Sequence, residues 1–152
     1  MVPADLNDVL ALEQELFPDD PWTAEMFAEE VVQPADTRLY LVAETQAGDQ
    51  SGRDLAGYAG MMFVPGDTQA DVLTIAVART HWGRGIGSAL LSELLRAARD
   101  RGRAEVFLEV REDNPRARGL YLRRGFEEIG VRRGYYQPSG VDAIVMRKDL
   151  MR

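Results

Sequence analysis

Residues 73–101 read LTIAVARTHWGRGIGSALLSELLRAARDR, and this stretch decides the fold. The end of an apolar strand runs into a turn with glycine at 83, 85 and 87, and the turn opens directly into a long amphipathic helix. Such a turn brings free backbone N–H groups and the positive end of a helix dipole to one place. The stretch therefore predicts a site for an anion, most often a phosphate.

Composition limits the chemistry that the chain can perform. The chain has 152 residues, of which 45% are hydrophobic and 28% charged. This profile fits a single domain over residues 1–152, with a hydrophobic core large enough to be stable without disulfide bonds. The sequence contains no cysteine and one histidine. These counts exclude disulfides, thiolate nucleophiles and metal sites rich in cysteine or histidine, so we expect no metal.

Net charge and hydropathy limit the kinds of partner that the chain is expected to bind. The formal net charge is −7, a field that repels nucleic acid and suits a basic peptide or protein. The first 15 residues lack the basic and apolar regions of a signal peptide, and no stretch approaches 18 apolar residues. We therefore expect a cytoplasmic protein without a membrane segment and without direct contact to nucleic acid.

Periodicity, β-rich composition and turn residues divide the chain into four helices and six strands. The helices are predicted at residues 4–17, from 23 to about 32, from the glycine turn to about 101, and at 115–124. The strands are predicted at residues 37–44, 55–64, 70–78, 104–110, 126–131 and 141–147, with a hairpin loop at 46–53. Thr23 and Asn114 are the expected N-caps, and Gly57 and Gly60 mark weak or bulged points of their strand.

The order of these elements predicts a mixed α/β fold, without an internal repeat. By itself the glycine turn is equally compatible with a tight connection between strand and helix. A P-loop would need Lys-Ser or Lys-Thr after its last glycine, but here Gly87 precedes Ser88 and Ala89. A Rossmann turn would open a parallel unit near the N-terminus, whereas antiparallel strands are predicted before this turn.

Further segments carry a more specific signal. They are LEVREDNPRARGLYLRRGF at 108–126, RRGYYQPSGVDAIVM at 132–146 and PWT at 21–23, added to IAV at 75–77 and GRGIG at 83–87. With the segments that lie within them, residues 39–146 resemble the GNAT family of acetyl-CoA-dependent N-acetyltransferases, and within it the RimI-type enzymes, of which the PWT step at 21–23 is also typical. The resemblance implies the GNAT fold, a mixed central sheet of about six to seven strands flanked by about four helices.

The resemblance also implies how acetyl-CoA, the co-substrate, is held. Residues 75–77 would bind the pantetheine arm like an added strand, and residues 83–88 would bind the pyrophosphate through backbone N–H groups. The implied binding residues are Ile75, Ala76, Val77, Gly83, Arg84, Gly85, Ile86, Gly87, Ser88 and Asn114. One position departs from the family: Trp82 stands where the turn usually has glutamine or arginine, so we expect Arg79 or Arg84 to supply that polar contact.

The resemblance assigns Glu109 as general base and Tyr121 as general acid. Without the resemblance, the sequence favours an exposed glutamate at a strand edge for Glu109, and a half-buried core tyrosine is the alternative for Tyr121. A carboxylate suffices as base because an α-amino group has a pKa of only about 7.7–8.0. Since no cysteine can carry an acetyl group, we expect direct attack in a ternary complex.

The acceptor implied by the resemblance is a protein N-terminus, the terminal alanine of a small-subunit ribosomal protein. We expect the acceptor pocket between two aromatic loops, residues 17–22 and 134–140, with Trp22, Tyr135 and Tyr136 as substrate-binding residues. Two alternatives stay open: acetylation of lysine side chains or small amines, and an idle module that binds acyl-CoA or a partner. The sequence does not decide the oligomeric state, for which we expect a monomer or weak dimer.

Other conspicuous side chains receive no functional role. We expect His81 to be an exposed loop residue and Met61 and Met62 to belong to the core. The arginine pairs at 123–124 and 132–133 are expected in solvent, with one of the four arginines available to the adenosine 3′-phosphate or to an acidic partner.

Overall fold

A computed structural model describes residues 1–46 and 53–151. The hairpin loop predicted at 46–53 therefore lies almost wholly outside the described residues. Across the described ranges, no helix has both the length and the apolar character needed to cross a membrane. The predicted order of helices and strands is confirmed throughout these ranges.

Four α-helices are present in the described part of the chain, and two have the predicted side-chain caps. They are α1 (Leu6–Leu16), α2 (Ala24–Val31), α3 (Ile86–Asp100) and α4 (Pro115–Arg123). The Thr23 side chain accepts a hydrogen bond from the Met26 backbone at the start of α2, and Asn114 accepts one from Ala117 at the start of α4. These caps satisfy backbone N–H groups that have no partner within their helix.

The strands form one six-stranded sheet, within the range expected. They are β1 (Arg38–Gln46), β2 (Arg53–Phe63), β3 (Gln69–Val77), β4 (Glu105–Arg111), β5 (Glu127–Arg132) and β6 (Ala143–Asp149). Their order is β1-β2-β3-β4-β6-β5, and every neighbouring pair is antiparallel except β3 and β4. The helix α3 connects these two parallel strands, as a crossover must.

Several predicted boundaries were wrong by one or two residues. The first helix was expected from residue 4, but Pro3–Asp5 forms a 3₁₀ turn and the α-helix begins at Leu6. The last two strands each begin and end later than expected, because the hydrogen bonding of β6 with β5 and β4 sets their limits and side-chain composition does not.

The core lies on both faces of the sheet. On one face, the leucines of α3 pack against β2, β3 and β4, as the predicted apolar stripe requires. On the other face, Val9 and Leu12 of α1 pack with Phe27 of α2 against Tyr58. Met61 is fully buried and Met62 partly buried, so the expected core role is confirmed for Met61.

Strand β3 is bulged at the point where it parts from β4. The pairing of β2 with β3 shifts register between Gly60 and Met61, which leaves Leu73 without an opposite residue. The pairing of β3 with β4 runs only from Gln69 to Val72. A bulge bends a strand and increases its twist, so β3 turns away from β4 after this point. The ends of the two strands therefore form the sides of an open cleft.

Candidate active site

The cleft between β3 and β4, here called the large cleft, has a volume of about 630 Å³. At one end lies the glycine turn, in which Gly83 and Gly85 have φ angles of 80° and 79°. These left-handed conformations suit glycine, because other residues pay a steric penalty there. The turn ends at the start of α3, whose first backbone N–H groups have no partner within the helix. The turn therefore presents a cradle of N–H donors to the cleft.

One edge of β3 faces the large cleft. The Ala78 N–H donates to the Ala56 carbonyl of β2 over 2.7 Å. Backbone groups of alternate residues in a strand point the same way, so those of Ala76 also face β2, and those of Ile75 and Val77 face the cleft. Among the described residues, no strand pairs with this half of β3 on the cleft side. An extended ligand arm can therefore join the sheet here.

Trp82 closes the end of this strand edge. Its indole Nε1–H donates to the Val77 carbonyl over 2.8 Å. The Arg116 guanidinium, at the start of α4, lies 4.0 Å from the centre of the indole ring, and that of Arg79 lies 5.8 Å away. Trp82 thus links the end of β3 to α4 across the mouth of the cleft. These contacts give Trp82 a structural role at the position where the chain departs from the family pattern.

The large cleft is cationic although the chain is acidic overall. Its lining contains four arginines, Arg79, Arg111, Arg116 and Arg123, against two aspartates, Asp19 and Asp113, whereas the net charge of the chain is −7. Arg111 is paired with carboxylates. The guanidinium groups of the other three arginines, together with the N–H cradle at the start of α3, suit a ligand with several phosphates. The cleft therefore fits the chemistry of coenzyme A: an extended arm with a phosphorylated end.

Most residues predicted to hold acetyl-CoA lie on the large cleft. Those that line it are Ile75, Ala76, Val77, Gly83, Gly85, Ile86, Gly87, Ser88 and Asn114. Arg84 is exposed and lies outside the lining, whereas Arg79 lines it. Of the two arginines expected to compensate for Trp82, the geometry therefore favours Arg79.

A second, smaller cavity of about 120 Å³, here called the small pocket, adjoins the large cleft. The residues that line both are Phe17, Ile75, Arg111, Asn114, Ala117 and Tyr121. Glu109 lines the small pocket only, and the glycine turn lines the large cleft only. A ligand in the cleft and a second ligand in the pocket would therefore meet beside Tyr121 and Ile75.

Tyr121 lies at this meeting point with an available hydroxyl group. Its side chain is buried and packs edge-on against Phe126. Burial raises the pKa of the Tyr121 phenol above its usual value, so the group stays protonated at neutral pH. Across the described ranges the hydroxyl has no hydrogen-bond partner. Tyr121 can therefore donate a proton to a bound ligand.

Glu109 lies inside the sheet, not at its edge. It belongs to β4, which has β3 on one side and β6 on the other, and its side chain is 28% exposed. Its Oε1 lies 3.3 Å from Nε of Arg132. Burial raises the pKa of the Glu109 carboxyl, Arg132 opposes the rise, and the charge of Asp71 adds to it. A carboxylate with a raised pKa is a better proton acceptor.

The three aromatic residues predicted to bind the acceptor divide into two groups. Trp22 and Tyr136 line the small pocket. Tyr135 lines neither cavity, is 47% exposed, and packs edge-on against Tyr136 at 5.1 Å between ring centres. The structure therefore brings Trp22 and Tyr136 together and leaves Tyr135 outside.

Sequence reasoning missed three charged residues of the small pocket, Glu13, Asp20 and Arg111. The Glu13 side chain is 3% exposed and accepts hydrogen bonds from the Tyr58 hydroxyl and, over 2.9 Å, from the Trp22 backbone N–H. The sequence pattern could have indicated Glu13, because it is the one polar residue in the apolar stripe of the first helix. Asp20 and Arg111 gave no local signal.

Two side chains expected in solvent are partly buried. His81 is half-buried, lines the large cleft, and has its ring nitrogens near the hydroxyls of Thr45 and Thr80. Arg124 is also half-buried, and its guanidinium donates to the Ser88 carbonyl over 2.9 Å. It thereby fixes the end of α4 to the first turn of α3, a tertiary contact that an arginine pair in sequence does not indicate.

Comparison with known proteins agrees with this geometry. Residues 6–126 match the acetyltransferase (GNAT) family. The N-alpha-acetyltransferase RimI of Mycobacterium tuberculosis is 42% identical over 150 residues, which cover 96% of this chain and 87% of that protein. A putative ribosomal protein bS18-alanine N-acetyltransferase of Bacillus subtilis is 31% identical, with 93% and 87% covered.

Solved structures agree as well. The crystal structure of the ribosomal-protein-S18-alanine N-acetyltransferase from Escherichia coli superimposes with a TM-score of 0.77 at 33% identity, over 99% of this chain and 90% of that one. The fold, the cationic cleft and the relatives lead to one conclusion. The chain belongs to the GNAT family and is an acetyl-CoA-dependent N-acetyltransferase.

Proposed function

We propose that the protein acetylates the N-terminal α-amino group of a small-subunit ribosomal protein that begins with alanine, in the cytoplasm. The proposal takes its acceptor from relatives whose names specify alanine of ribosomal protein bS18 or S18. The observation that carries it is the junction of the two cavities. The large cleft suits coenzyme A, and the small pocket holds Glu109 and ends beside Tyr121.

The small pocket suits an amine at the end of a chain. Its volume of about 120 Å³ fits a small first side chain such as alanine better than a bulky one. Glu109 and Glu13 contribute carboxyl groups to its lining, and Trp22 and Tyr136 contribute aromatic walls. A peptide with basic residues after the first also suits the acidic surface of the chain.

Glu109 acts as general base in this proposal. An α-ammonium group has a pKa of about 7.7–8.0 and must lose one proton before its nitrogen can attack a thioester. The Glu109 carboxylate takes that proton, directly or through a water molecule. Its pKa is raised by burial, which brings it closer to that of the amine and makes transfer easier.

Tyr121 acts as general acid. The attack forms a bond between the amine nitrogen and the acetyl carbon, and the bond between that carbon and the coenzyme sulfur breaks. Tyr121 donates its hydroxyl proton to the departing sulfur, and the second proton that the nitrogen loses as it becomes an amide returns to the Tyr121 oxygen through water. The N–H groups of Ile75 and Val77 on the free edge of β3 are available to polarise the acetyl oxygen. Because the chain has no cysteine, the transfer is direct, within a ternary complex.

A mass-spectrometric assay tests the proposal. The purified protein and acetyl-CoA are incubated with a peptide that begins with alanine, and separately with the same peptide blocked at its N-terminus but containing an internal lysine. We expect acetylation of the free α-amine at least about a hundredfold faster, since a lysine amine has a pKa near 10.4 and is far harder to deprotonate. Faster modification of the lysine, or acetyl-CoA binding without turnover of any amine, would contradict it.

A further inference from the structure

Asp20 joins the two loops expected to flank the acceptor. It lies in loop 17–22, and its Oδ1 accepts a hydrogen bond from the Ser139 backbone N–H of loop 134–140 over 2.9 Å. Its Oδ2 accepts a second hydrogen bond from the Ser139 hydroxyl. One carboxylate thus bridges residues that are 119 positions apart in the chain.

The same carboxylate also pairs with Arg111 at the end of β4. The Arg111 guanidinium donates to Asp113 as well, over 2.9 Å and 3.1 Å, and lies over the Tyr136 ring at 5.2 Å. The Asp20 side chain is only 3% exposed. Burial alone would raise the pKa of the Asp20 carboxyl, but the hydrogen bonds from Ser139 and Arg111 outweigh burial and lower it. The bridge is therefore a charge-assisted network built around a buried carboxylate, with Ser139 at its exposed side.

Asp20, Arg111 and Tyr136 all line the small pocket. The pocket is thus bounded on this side by two loops tied to each other and to β4. Asp20 also offsets the charge of Arg111, which would otherwise repel an incoming ammonium group. Removal of Asp20 would release the two loops and leave a partly uncompensated cation beside the pocket.

We infer that Asp20 is a specificity-determining positioning residue, whose bridge to Ser139 and Arg111 limits the small pocket to amines at a chain end. A peptide N-terminus can enter the small pocket through one opening, because the chain continues on one side of the amine only. A lysine within a chain has residues on both sides, so its entry needs the two loops to separate. The inference rests on the proposed function, because it concerns the acceptor of that reaction.

Variants of the bridge, made in the 152-residue chain, test this inference. D20A removes every contact of the bridge, whereas S139A removes only the hydroxyl contact and S139T restores a hydroxyl. E112Q is the matched control, because it removes one exposed negative charge beside Arg111 from a residue that lines neither cavity. The readouts are kcat and KM for the peptide that begins with alanine, the KM for acetyl-CoA, and the rate on the blocked lysine peptide.

We expect D20A to raise the peptide KM about tenfold, to change kcat less than about twofold, and to leave the KM for acetyl-CoA unchanged. The preference for the chain end over lysine should fall by a similar factor. S139A should have a smaller effect in the same direction, and S139T and E112Q should behave as the wild type. Hydrogen exchange should show faster exchange of the amides at 139–141 in D20A, independently of turnover.

The outcomes separate the two claims. Unchanged peptide KM and preference in both D20A and S139A, with an active wild type, would overturn this inference and leave the proposed function standing. A loss of kcat without a change in peptide KM would also overturn it, since that pattern indicates general damage to the active site. Wild-type protein that acetylates the blocked lysine peptide as fast as the free N-terminus would overturn both.

Discussion

The indole N–H of Trp82 donates a hydrogen bond of 2.8 Å to the carbonyl oxygen of Val77, five residues earlier in the chain. This contact ties the glycine turn to the strand that it follows. It also occupies one backbone acceptor at the end of the free β3 edge, while the N–H groups of Ile75 and Val77 remain available to a ligand. The position of the cradle relative to the strand edge therefore depends on Trp82.

Substitution of Trp82 by phenylalanine should weaken acetyl-CoA binding. The ring is kept but the donor is lost, so the Val77 carbonyl loses its partner at a cost of about 1 kcal/mol. We expect the dissociation constant for acetyl-CoA, measured by calorimetry, to rise about fivefold.

The control for this prediction is W82Q, which retains a side-chain donor and restores a residue usual in the family at this position. It should bind acetyl-CoA more tightly than W82F. Equal affinities for the two variants would show that the hydrogen bond to Val77 does not position the turn.

Substitution of Tyr121 by phenylalanine should lower turnover and spare binding. The variant loses only the hydroxyl group, which has no partner within the described part of the chain, so packing against Phe126 is retained. We expect kcat to fall about a hundredfold, the usual contribution of a general acid, with little change in acetyl-CoA affinity. Steady-state kinetics and calorimetry check the two halves, and normal turnover would remove Tyr121 from the mechanism.

Much of the fold was predictable because its signals are local. The caps at Thr23 and Asn114, the glycine turn and the leucine stripe of α3 each depend on residues close together in sequence. The roles predicted for Glu109 and Tyr121 came from the resemblance to a family, because their spacing in sequence does not indicate that they line one pocket.

The features that sequence reasoning missed depend on contacts between distant residues. The separation of β3 from β4 follows a bulge opposite Gly60, which only the pairing with β2 defines. The bridge from Asp20 to Ser139 and the burial of Arg124 against α3 likewise join segments far apart in the chain. No periodicity or cap encodes such contacts, so a charged residue there was indistinguishable from one in solvent.

Removal of the Arg132 charge should shift the pH dependence of catalysis. Arg132 lies 3.3 Å from Glu109 and opposes the rise in the pKa of that carboxyl. In R132Q the pKa of Glu109 should therefore rise further, and the acidic limb of the kcat/KM profile should move to higher pH. Because Arg132 is largely exposed, solvent screens the pair, and we expect a shift of less than about one pH unit.

The difference between the wild-type and R132Q profiles isolates Glu109, because both contain the same titration of the substrate amine. R133Q is the matched control, since Arg133 neighbours Arg132 but pairs with Asp142 and lies mostly in solvent. A shift in R133Q equal to that in R132Q would indicate a general effect of charge and not a contact with Glu109.

Glu13 should make the folded protein less stable as the pH rises. Burial raises the pKa of its carboxyl above 4.5, although hydrogen bonds from Tyr58 and Trp22 oppose the rise. The folded state therefore binds the proton more tightly than the unfolded state, so the stability contributed by protonated Glu13 is present below pH 4.5 and is lost as pH rises through the folded pKa. In E13Q this pH-dependent loss should disappear. E13A should cost about 2–3 kcal/mol below pH 4.5, because Tyr58 and Trp22 lose their acceptor, and the cost should become smaller as the pH rises. Urea unfolding between pH 4.5 and 8 measures both, and parallel curves for wild type and E13Q would contradict the raised pKa.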